Sequence, residues 1–142
     1  MKKVWLITGV SSGFGYEMTK QLLKNGDTVV GTVRNTKKVK DFIERFPNTF
    51  DCKILDVTDM KAVDQTVRDS FEKHGKIDVV VSNAGYGLFG CVEELSDEEI
   101  DHIIATNLVG SIALLKIAVP YMRKQGGGRE YEIGRASCRE RV

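Results

Sequence analysis

The sequence contains few cysteines and no metal-binding pattern. Three of its 142 residues are cysteine, namely Cys52, Cys91 and Cys138, and no two of them form a Cys-x-x-Cys pair. A disulfide-rich secreted scaffold and a structural zinc site are therefore not expected, and the thiols should be reduced, as they are in cytoplasmic proteins. The two histidines, His74 and His102, have no partner at metal-ligand spacing, so we expect both on helix surfaces and no bound metal.

A large charge of one sign is also absent. The chain has 21 basic and 20 acidic residues and a formal net charge of +1, which gives no reason to expect nucleic acid or an anionic membrane as a partner. No apolar run reaches the length of a membrane span. The apolar stretch near the N-terminus stops at Thr8, which is too short for a signal peptide. We therefore expect a cytoplasmic protein that binds neither nucleic acid nor membrane.

The C-terminal residues do not continue the pattern of the rest. Up to Arg129 the sequence alternates between strand and helix patterns, whereas Glu132–Val142 has neither a hydrophobic period nor capping residues. One back-translation of this segment reads, from its second base onward, as a widely used short-read sequencing adapter, and Glu130 and Tyr131 lie at the junction. We predict a natural but incomplete domain over residues 1–129 and a non-native tail over residues 130–142. A natural polar tail is the alternative.

Short apolar runs alternate with helical patterns along the first 129 residues. This alternation predicts an α/β fold with four parallel strands in the order 3-2-1-4 and helices on both faces. The fold should be truncated after the fourth strand and the helices that follow it, which would leave that strand as a sheet edge. The predicted strands are Val4–Ile7, Thr28–Val33, Phe50–Leu55 and Ile77–Val81. The predicted helices are Phe14–Lys24, Lys37–Arg45, Asp59–His74, one that begins with a capping box at Ser96, and a largely buried one over Leu108–Met122.

A glycine-rich turn joins the first strand to the first helix. The segment Thr8–Gly15 reads Thr-Gly-Val-Ser-Ser-Gly-Phe-Gly, and its three glycines permit a tight turn and a close approach of the backbone. The free N–H groups at the start of the helix would then face an anion. The spacing is neither G-x-G-x-x-G nor a P-loop. The context favours the pyrophosphate of a dinucleotide, and a purely structural turn is the alternative.

Two charged residues at strand ends indicate which dinucleotide would bind. The end of the second strand, where an acidic residue would bind a ribose 2′-OH, carries Val33 and then Arg34. A guanidinium attracts a 2′-phosphate, so NADP(H) is favoured over NAD(H). A solvated surface charge is the alternative for Arg34. Asp56 and Val57 end the third strand and could hold adenine, although Asp56 could instead be a turn residue.

These motifs together resemble the N-terminal half of a short-chain dehydrogenase/reductase. The resemblance covers about residues 2–129, and Ser82 stands where the family usually has asparagine. It implies a Rossmann-type doubly wound parallel sheet and an NADP(H)-dependent oxidoreductase. Such an enzyme transfers hydride between the nicotinamide and an alcohol or carbonyl substrate, and the whole protein could be a homo-oligomer. The residues that carry the resemblance are Thr8-Gly9-x-x-x-Gly13-x-Gly15, Asp56-Val57, Asn83-Ala84-Gly85 and Asn107-x-x-Gly110.

The resemblance also implies a role for each matching residue. The glycine turn would line the phosphates, Asp56 and Val57 would hold adenine, and the Asn83–Gly85 segment would touch the adenosine ribose. Asn107 matches the family's catalytic asparagine, whose backbone carbonyl holds a water of the proton relay. The expected cofactor-binding residues are Thr8, Gly9, Ser11, Ser12, Gly13, Phe14, Gly15, Arg34, Asp56, Val57, Asn83, Ala84 and Gly85.

The family's catalytic serine and Tyr-x-x-x-Lys pair are not found where they are expected. Tyr16 and Lys20 have the right spacing, but they lie in the first helix, on the wrong side of the cofactor. We therefore expect this chain to be inactive by itself. Two other interpretations stay open. One is a non-catalytic NADP(H)-binding sensor module. The other is a flavodoxin-like or receiver-type signalling domain, although the acidic cluster of a receiver is missing after the first strand.

Overall fold

A computed structural model describes residues 1–134 of the chain, which form a single parallel sheet covered by helices. The segment 135–142, which includes Cys138 and most of the predicted tail, lies outside the described residues. The strands are β1 (Val4–Ile7), β2 (Thr28–Val33), β3 (Phe50–Ile54), β4 (Val79–Ser82) and β5 (Arg129–Glu132). The α-helices are α1 (Gly13–Lys24), α2 (Lys40–Arg45), α3 (Met60–His74), α4 (Asp97–Ile104) and α5 (Gly110–Lys124).

The strand order is β3-β2-β1-β4-β5, and every neighbouring pair is parallel. In the centre of the sheet, Leu6 is in register with Val30 on one side and with Val80 on the other. The predicted order of the first four strands is therefore confirmed. A flavodoxin-like domain would have the order 2-1-3-4-5, so the interpretation as a signalling domain of that type is wrong.

The fifth strand corrects the expectation that the fold is truncated after the fourth. Arg129–Glu132 pairs with β4, so β4 is an interior strand and not a sheet edge within the described residues. Strand pairing uses backbone groups, which is why this charged segment gave no strand signal in the sequence. The strands of parallel sheets that are covered on both faces are usually apolar. Here Glu130 has a buried Oε1 without a hydrogen-bond partner among residues 1–134, and burial raises the pKa of its carboxyl.

Successive residues of each strand point to opposite sides of the sheet, and helices cover both sides. Leu6, Val30 and Val80 face α3 and α5, where they pack with Val67 and Leu114 in one core cluster. The other core cluster lies beneath α1 and α2. Its fully or nearly fully buried members are Ile7, Val10, Leu23, Val29, Val33, Val39, Phe42, Phe50, Val79 and Val81.

The predicted helix starts at Asp59 and Ser96 are confirmed. The Asp59 side chain accepts hydrogen bonds from the backbone N–H groups of Lys61 and Ala62, each at 3.0 Å. At Ser96, Oγ accepts from the Glu99 N–H at 3.2 Å, while the Glu99 carboxylate accepts from the Ser96 N–H at 2.9 Å. These bonds satisfy N–H groups that have no partner inside the helix.

The helix predicted over Leu108–Met122 is buried on only one side. Ala118 and Met122 pack into the core, whereas Leu108 and Ile112 are 54% and 55% exposed, because no described element covers that side. With α4 and a π-helical turn at Ala105–Val109, α5 forms a continuous helical stretch of 28 residues, of which an 18-residue window has a mean hydropathy of 1.8. By length and composition this stretch could cross a membrane, which the sequence analysis did not anticipate. Its buried side nevertheless packs against the sheet and α3.

A group of charged residues joins β3 to the end of α3. Asp51 accepts hydrogen bonds from Lys73 Nζ at 3.0 Å and His74 Nε2 at 3.1 Å, and Lys53 Nζ lies 3.7 Å away. His74 lies at the end of α3, and its ion pair with Asp51 was not anticipated from the sequence. Partial burial by itself would raise the pKa of Asp51, but the hydrogen bonds from Lys73 and His74 outweigh it and hold the pKa below its usual value.

Replacing Asp51 by Asn tests this group through its pH dependence. Because the pKa of Asp51 is lower in the folded chain, its contribution to stability is complete above the unfolded pKa of about 3.8 and is lost as the pH falls through the folded pKa. We expect Asp51→Asn to lower the free energy of unfolding at neutral pH and to match wild type in acid, as measured by urea denaturation. Asp64→Asn, which breaks only an exposed ion pair with Arg68, should have little effect. A difference for Asp51→Asn that does not vary with pH would contradict the prediction.

Candidate nucleotide-binding site

A cavity of about 290 Å³ opens at the carboxyl ends of β1 to β4. This volume is close to the lower end of the range of roughly 300–1,000 Å³ that small-molecule sites occupy. The position is the point of the sheet at which the direction of the strand order reverses, where α/β proteins of this topology bind ligands. The lining residues are Gly9, Ser11, Ser12, Gly13, Phe14, Thr32, Val33, Arg34, Leu55, Asp56, Val57, Asn83, Ala84, Gly85, Tyr86, His102 and Thr106.

The glycine turn passes very close to the neighbouring backbone. Gly9 has a φ of +72°, and a Cβ there would lie 2.8 Å from Ala84 Cα. A Cβ on Gly15 would overlap Gly9 O and Asn83 Nδ2. At Gly13, where φ is +58°, a Cβ would meet only open space. The glycines at 9 and 15 therefore bring the chain segments together, while the one at 13 leaves room beside the cavity.

The start of α1 is open to an anion. The residue before the helix, Ser12, makes no side-chain hydrogen bond to the first turn, and that turn contains no acidic residue. Backbone N–H groups at a helix start have no partner within the helix, and the helix dipole favours a negative charge there. Ser11, Ser12, Gly13 and Phe14 line the cavity at this point. The arrangement therefore suits a phosphate group.

Hydrogen bonds tie the turn after β1 to the segment after β4. Thr8 Oγ1 accepts from the N–H groups of Asn83 at 3.1 Å and Ala84 at 3.0 Å. The Asn83 side chain donates to Thr8 O at 3.0 Å and to Gly9 O at 2.9 Å. Thr8 and Asn83 are buried. Thr8 does not itself line the cavity and neither does Gly15, so the structure gives these two predicted residues a supporting position.

Arg34 and Asp56 lie together in the cavity wall. Arg34 is exposed and forms no ion pair among residues 1–134. Asp56 Oδ1 accepts from Thr58 N at 2.9 Å and from Thr58 Oγ1 at 2.7 Å. These two hydrogen bonds, followed by the positive charge of Arg34, hold the pKa of Asp56 below its usual value. Asp56 thus forms a turn and lines the cavity at once, and its carboxylate stays ionised at neutral pH.

The wall on the α4 side contains residues that the sequence analysis missed. Tyr86, His102 and Thr106 line the cavity, so His102 is not simply a helix-surface residue. No periodic or motif signal marks His102 or Thr106. Asn107, in the π-helical turn, does not line the cavity but binds the Tyr86 backbone, with Oδ1 accepting from Tyr86 N at 3.0 Å and Nδ2 donating to Tyr86 O at 2.8 Å. These bonds satisfy the polar side chain of an otherwise apolar stretch, and the Asn107 carbonyl accepts from Ser111 Oγ at 3.3 Å.

The coincidental Tyr-x-x-x-Lys pattern lies outside this cavity. The Tyr16 hydroxyl donates to Asp41 Oδ2 at 2.8 Å, and its ring stacks on Phe42 with the centroids 4.6 Å apart. The hydrogen bond to Asp41, together with desolvation, raises the pKa of Tyr16. A tyrosine that transfers protons near neutral pH needs a lowered pKa. Lys20 instead lies 3.7 Å from Glu17.

Comparisons with known proteins agree with this geometry. The family model for short chain dehydrogenases matches residues 3–134. Oxidoreductase BOA17 of Botryotinia fuckeliana is 34% identical over 134 residues, which cover 94% of this chain and 49% of that protein. A crystal structure of a short-chain dehydrogenase from Streptomyces avermitilis has a TM-score of 0.89 and 35% identity, covering 94% of this chain and 49% of the other. ElxO with NADP bound has a TM-score of 0.84 and 33% identity, covering 94% and 56%.

The chain therefore belongs to the short-chain dehydrogenase family, as its motifs predicted. It spans about half the length of the curated relatives it matches. Among residues 1–134 no cluster of three or more His, Cys, Asp or Glu side chains could hold a metal ion.

Gly15→Ala tests whether the close approach shapes the cavity. Its Cβ would overlap backbone and the Asn83 amide, so we expect a lower melting temperature and an affinity for NADPH that falls by about tenfold or more, measured by fluorescence titration. Gly75→Ala is the matched control. Gly75 has a φ of +69° with open space around it, so alanine there should destabilise the fold by roughly 1–2 kcal/mol and leave NADPH affinity unchanged. Equal affinities for both variants would contradict the prediction.

Proposed function

We propose that the chain is the cofactor-binding part of an NADP(H)-dependent oxidoreductase that transfers hydride between the nicotinamide and an alcohol or carbonyl substrate. The observation that carries the proposal is the uncapped start of α1, which faces a cavity at the carboxyl ends of β1 and β4. Family membership supports hydride transfer, and the NADP in the related ElxO structure supports the choice of cofactor. The bound dinucleotide would supply the hydride to a carbonyl substrate or accept it from an alcohol.

The residues of the cavity fit the parts of this dinucleotide. Ser11 to Gly15 would bind the pyrophosphate through backbone N–H groups, with Gly13 leaving the space that a side chain would take. The Asp56 carboxylate would accept a hydrogen bond from the adenine amino group, and Val57 would pack on the ring. Asn83–Gly85 would touch the adenosine ribose. Arg34 would bind the 2′-phosphate, since a guanidinium without an ion-pair partner is free to form charge-assisted hydrogen bonds.

Cofactor preference tests the assignment of Arg34. Arg34→Ala should weaken NADPH binding by about tenfold or more, because a hydrogen bond to a charged group contributes roughly 1.5–3 kcal/mol, and should change NADH binding little. Arg34→Asp should reverse the preference by repelling the 2′-phosphate. Arg68→Ala makes the same change in net charge as Arg34→Ala, at a residue of α3 that does not line the cavity, and should leave both affinities unchanged. The affinities for NADPH and NADH can be measured by isothermal titration calorimetry. A wild-type chain that binds NADH more tightly than NADPH would contradict the assignment.

We also propose that residues 130–142 are not native. The adapter-like register of Glu132–Val142 supports this boundary. Glu130 also supports it, because its Oε1 is buried without a hydrogen-bond partner among residues 1–134, in a parallel sheet whose strands are usually apolar. In the native continuation, a serine and a Tyr-x-x-x-Lys pair would join Asn107, whose carbonyl would hold a water of the proton relay. A non-catalytic NADP(H) sensor is the alternative.

Turnover assays of this chain and of the protein extended by the rest of its gene decide between an enzyme and a sensor. The 142-residue chain should show no NADPH oxidation with a panel of ketones, because Tyr16 and Lys20, which have the Tyr-x-x-x-Lys spacing, do not line its cavity. Sequencing the gene beyond codon 129 should reveal Tyr-x-x-x-Lys, and the extended protein should be active. Absence of that motif would favour the sensor. Turnover by the short chain that Tyr16→Phe abolishes would show that the first-helix pattern is catalytic.

We also propose that the whole protein is cytoplasmic and forms a homo-oligomer. The reduced thiols of Cys52 and Cys91 are consistent with the cytoplasm. Leu108 and Ile112 form part of an exposed apolar face that a second copy of the chain would cover, which supports a homo-oligomer.

A further inference from the structure

Tyr86 is attached at both ends to one helical stretch. Its N–H and C=O both bind the Asn107 side chain, at 3.0 and 2.8 Å. At the far end of its side chain, the hydroxyl lies 2.7 Å from His102 Nδ1, and the two rings are tilted by 46° with centroids 5.5 Å apart. Three hydrogen bonds therefore fix the orientation of a single cavity-lining tyrosine.

The π-helical turn allows His102 and Asn107 to share this partner. In a regular α-helix, residues five apart point about 140° apart around the axis. The turn at Ala105–Val109 is wider and rotates less per residue, which brings Asn107 towards the side on which His102 lies. Both side chains consequently reach Tyr86.

The segment that carries Tyr86 needs such anchors. Gly85 precedes it and Gly87 follows it, and glycine loses more conformational freedom on ordering than any other residue. The same segment begins with Asn83, which the hydrogen bonds to Thr8 and Gly9 hold against the turn after β1. One end of the segment is therefore attached to the sheet, and Tyr86 is the point at which its other end is attached to α4.

We propose that Tyr86 and His102 form a positioning pair, whose phenol–imidazole hydrogen bond holds the Asn83–Tyr86 segment in the conformation that binds the dinucleotide. The inference rests on the proposed function, because it assumes that the cavity binds NADP(H). Neither residue takes part in hydride transfer. With the hydrogen bond broken, the glycine-flanked segment samples other conformations, and binding must then restore the ordered one at a cost in affinity.

A double-mutant cycle on NADPH affinity tests the pair. Tyr86→Phe removes the hydroxyl and keeps the ring, and His102→Leu removes the ring nitrogen. Each should weaken NADPH binding by about three- to tenfold, the usual effect of one neutral hydrogen bond. The double variant should be no weaker than the weaker single variant, because both changes break the same bond. His102→Asn, which keeps an acceptor near the position of Nδ1, should retain most of the affinity.

Stability and a second histidine provide the controls. His102 is exposed, so melting temperatures of the variants should stay close to wild type, which separates positioning from a loss of folding. His74→Leu, which changes the histidine bound to Asp51, should leave NADPH affinity unchanged. Unchanged affinity in both single variants, additive losses in the double variant, or no rescue by His102→Asn would each overturn the pair. A wild-type chain that does not bind NADPH would overturn the proposed function itself, and this result appears before any variant is made.

Discussion

The close contact between the chain leaving β1 and the chain leaving β4 is the constraint on which the site depends. Asn83 donates two hydrogen bonds to Thr8 across this contact, and the backbone of Gly9 passes so near Ala84 that a side chain on Gly9 would collide. The contact determines where α1 begins and in which direction its first N–H groups point. A displacement of either strand end would separate the helix start from the segment Asn83–Gly85 on the opposite side of the cavity.

A second contact extends this constraint to the α4 side. The segment after β4 is glycine-rich and would be loose by itself, but Asn107 binds Tyr86 at the point where the helix widens into a π-helical turn. One asparagine therefore does two things. Its side chain attaches the segment to the helix, and the turn that contains it presents the backbone carbonyl that the proposed proton relay would use. The two hydrogen bonds to Tyr86 explain how a polar side chain is accommodated in a stretch that is otherwise apolar.

The sequence predicted the supporting parts of the cavity better than its α4 wall. Gly9, Asp56 and Asn83 could be found because each follows a strand, and strand ends can be recognised from short apolar runs. The positions of Tyr86 and His102 in the cavity wall were not predicted, because the hydrogen bond between them depends on the path of a loop and on the rotation of a helix about its axis. Asp56 illustrates a different limit. A turn residue and a cavity residue were considered as alternatives, but the two oxygens of one carboxylate allow both at once.

The sequence by itself determined the order of elements, the helix caps and the parallel topology of the first four strands. These features follow from local chemistry, since apolar periodicity and capping side chains act within a few residues along the chain. Only the tertiary structure decided that Arg129–Glu132 pairs with β4, that α5 buries one side alone, and that His74 binds Asp51. Each of these depends on which distant segment lies alongside. Backbone pairing is largely indifferent to side-chain type, and an apolar helix carries no mark of which side the rest of the protein will cover.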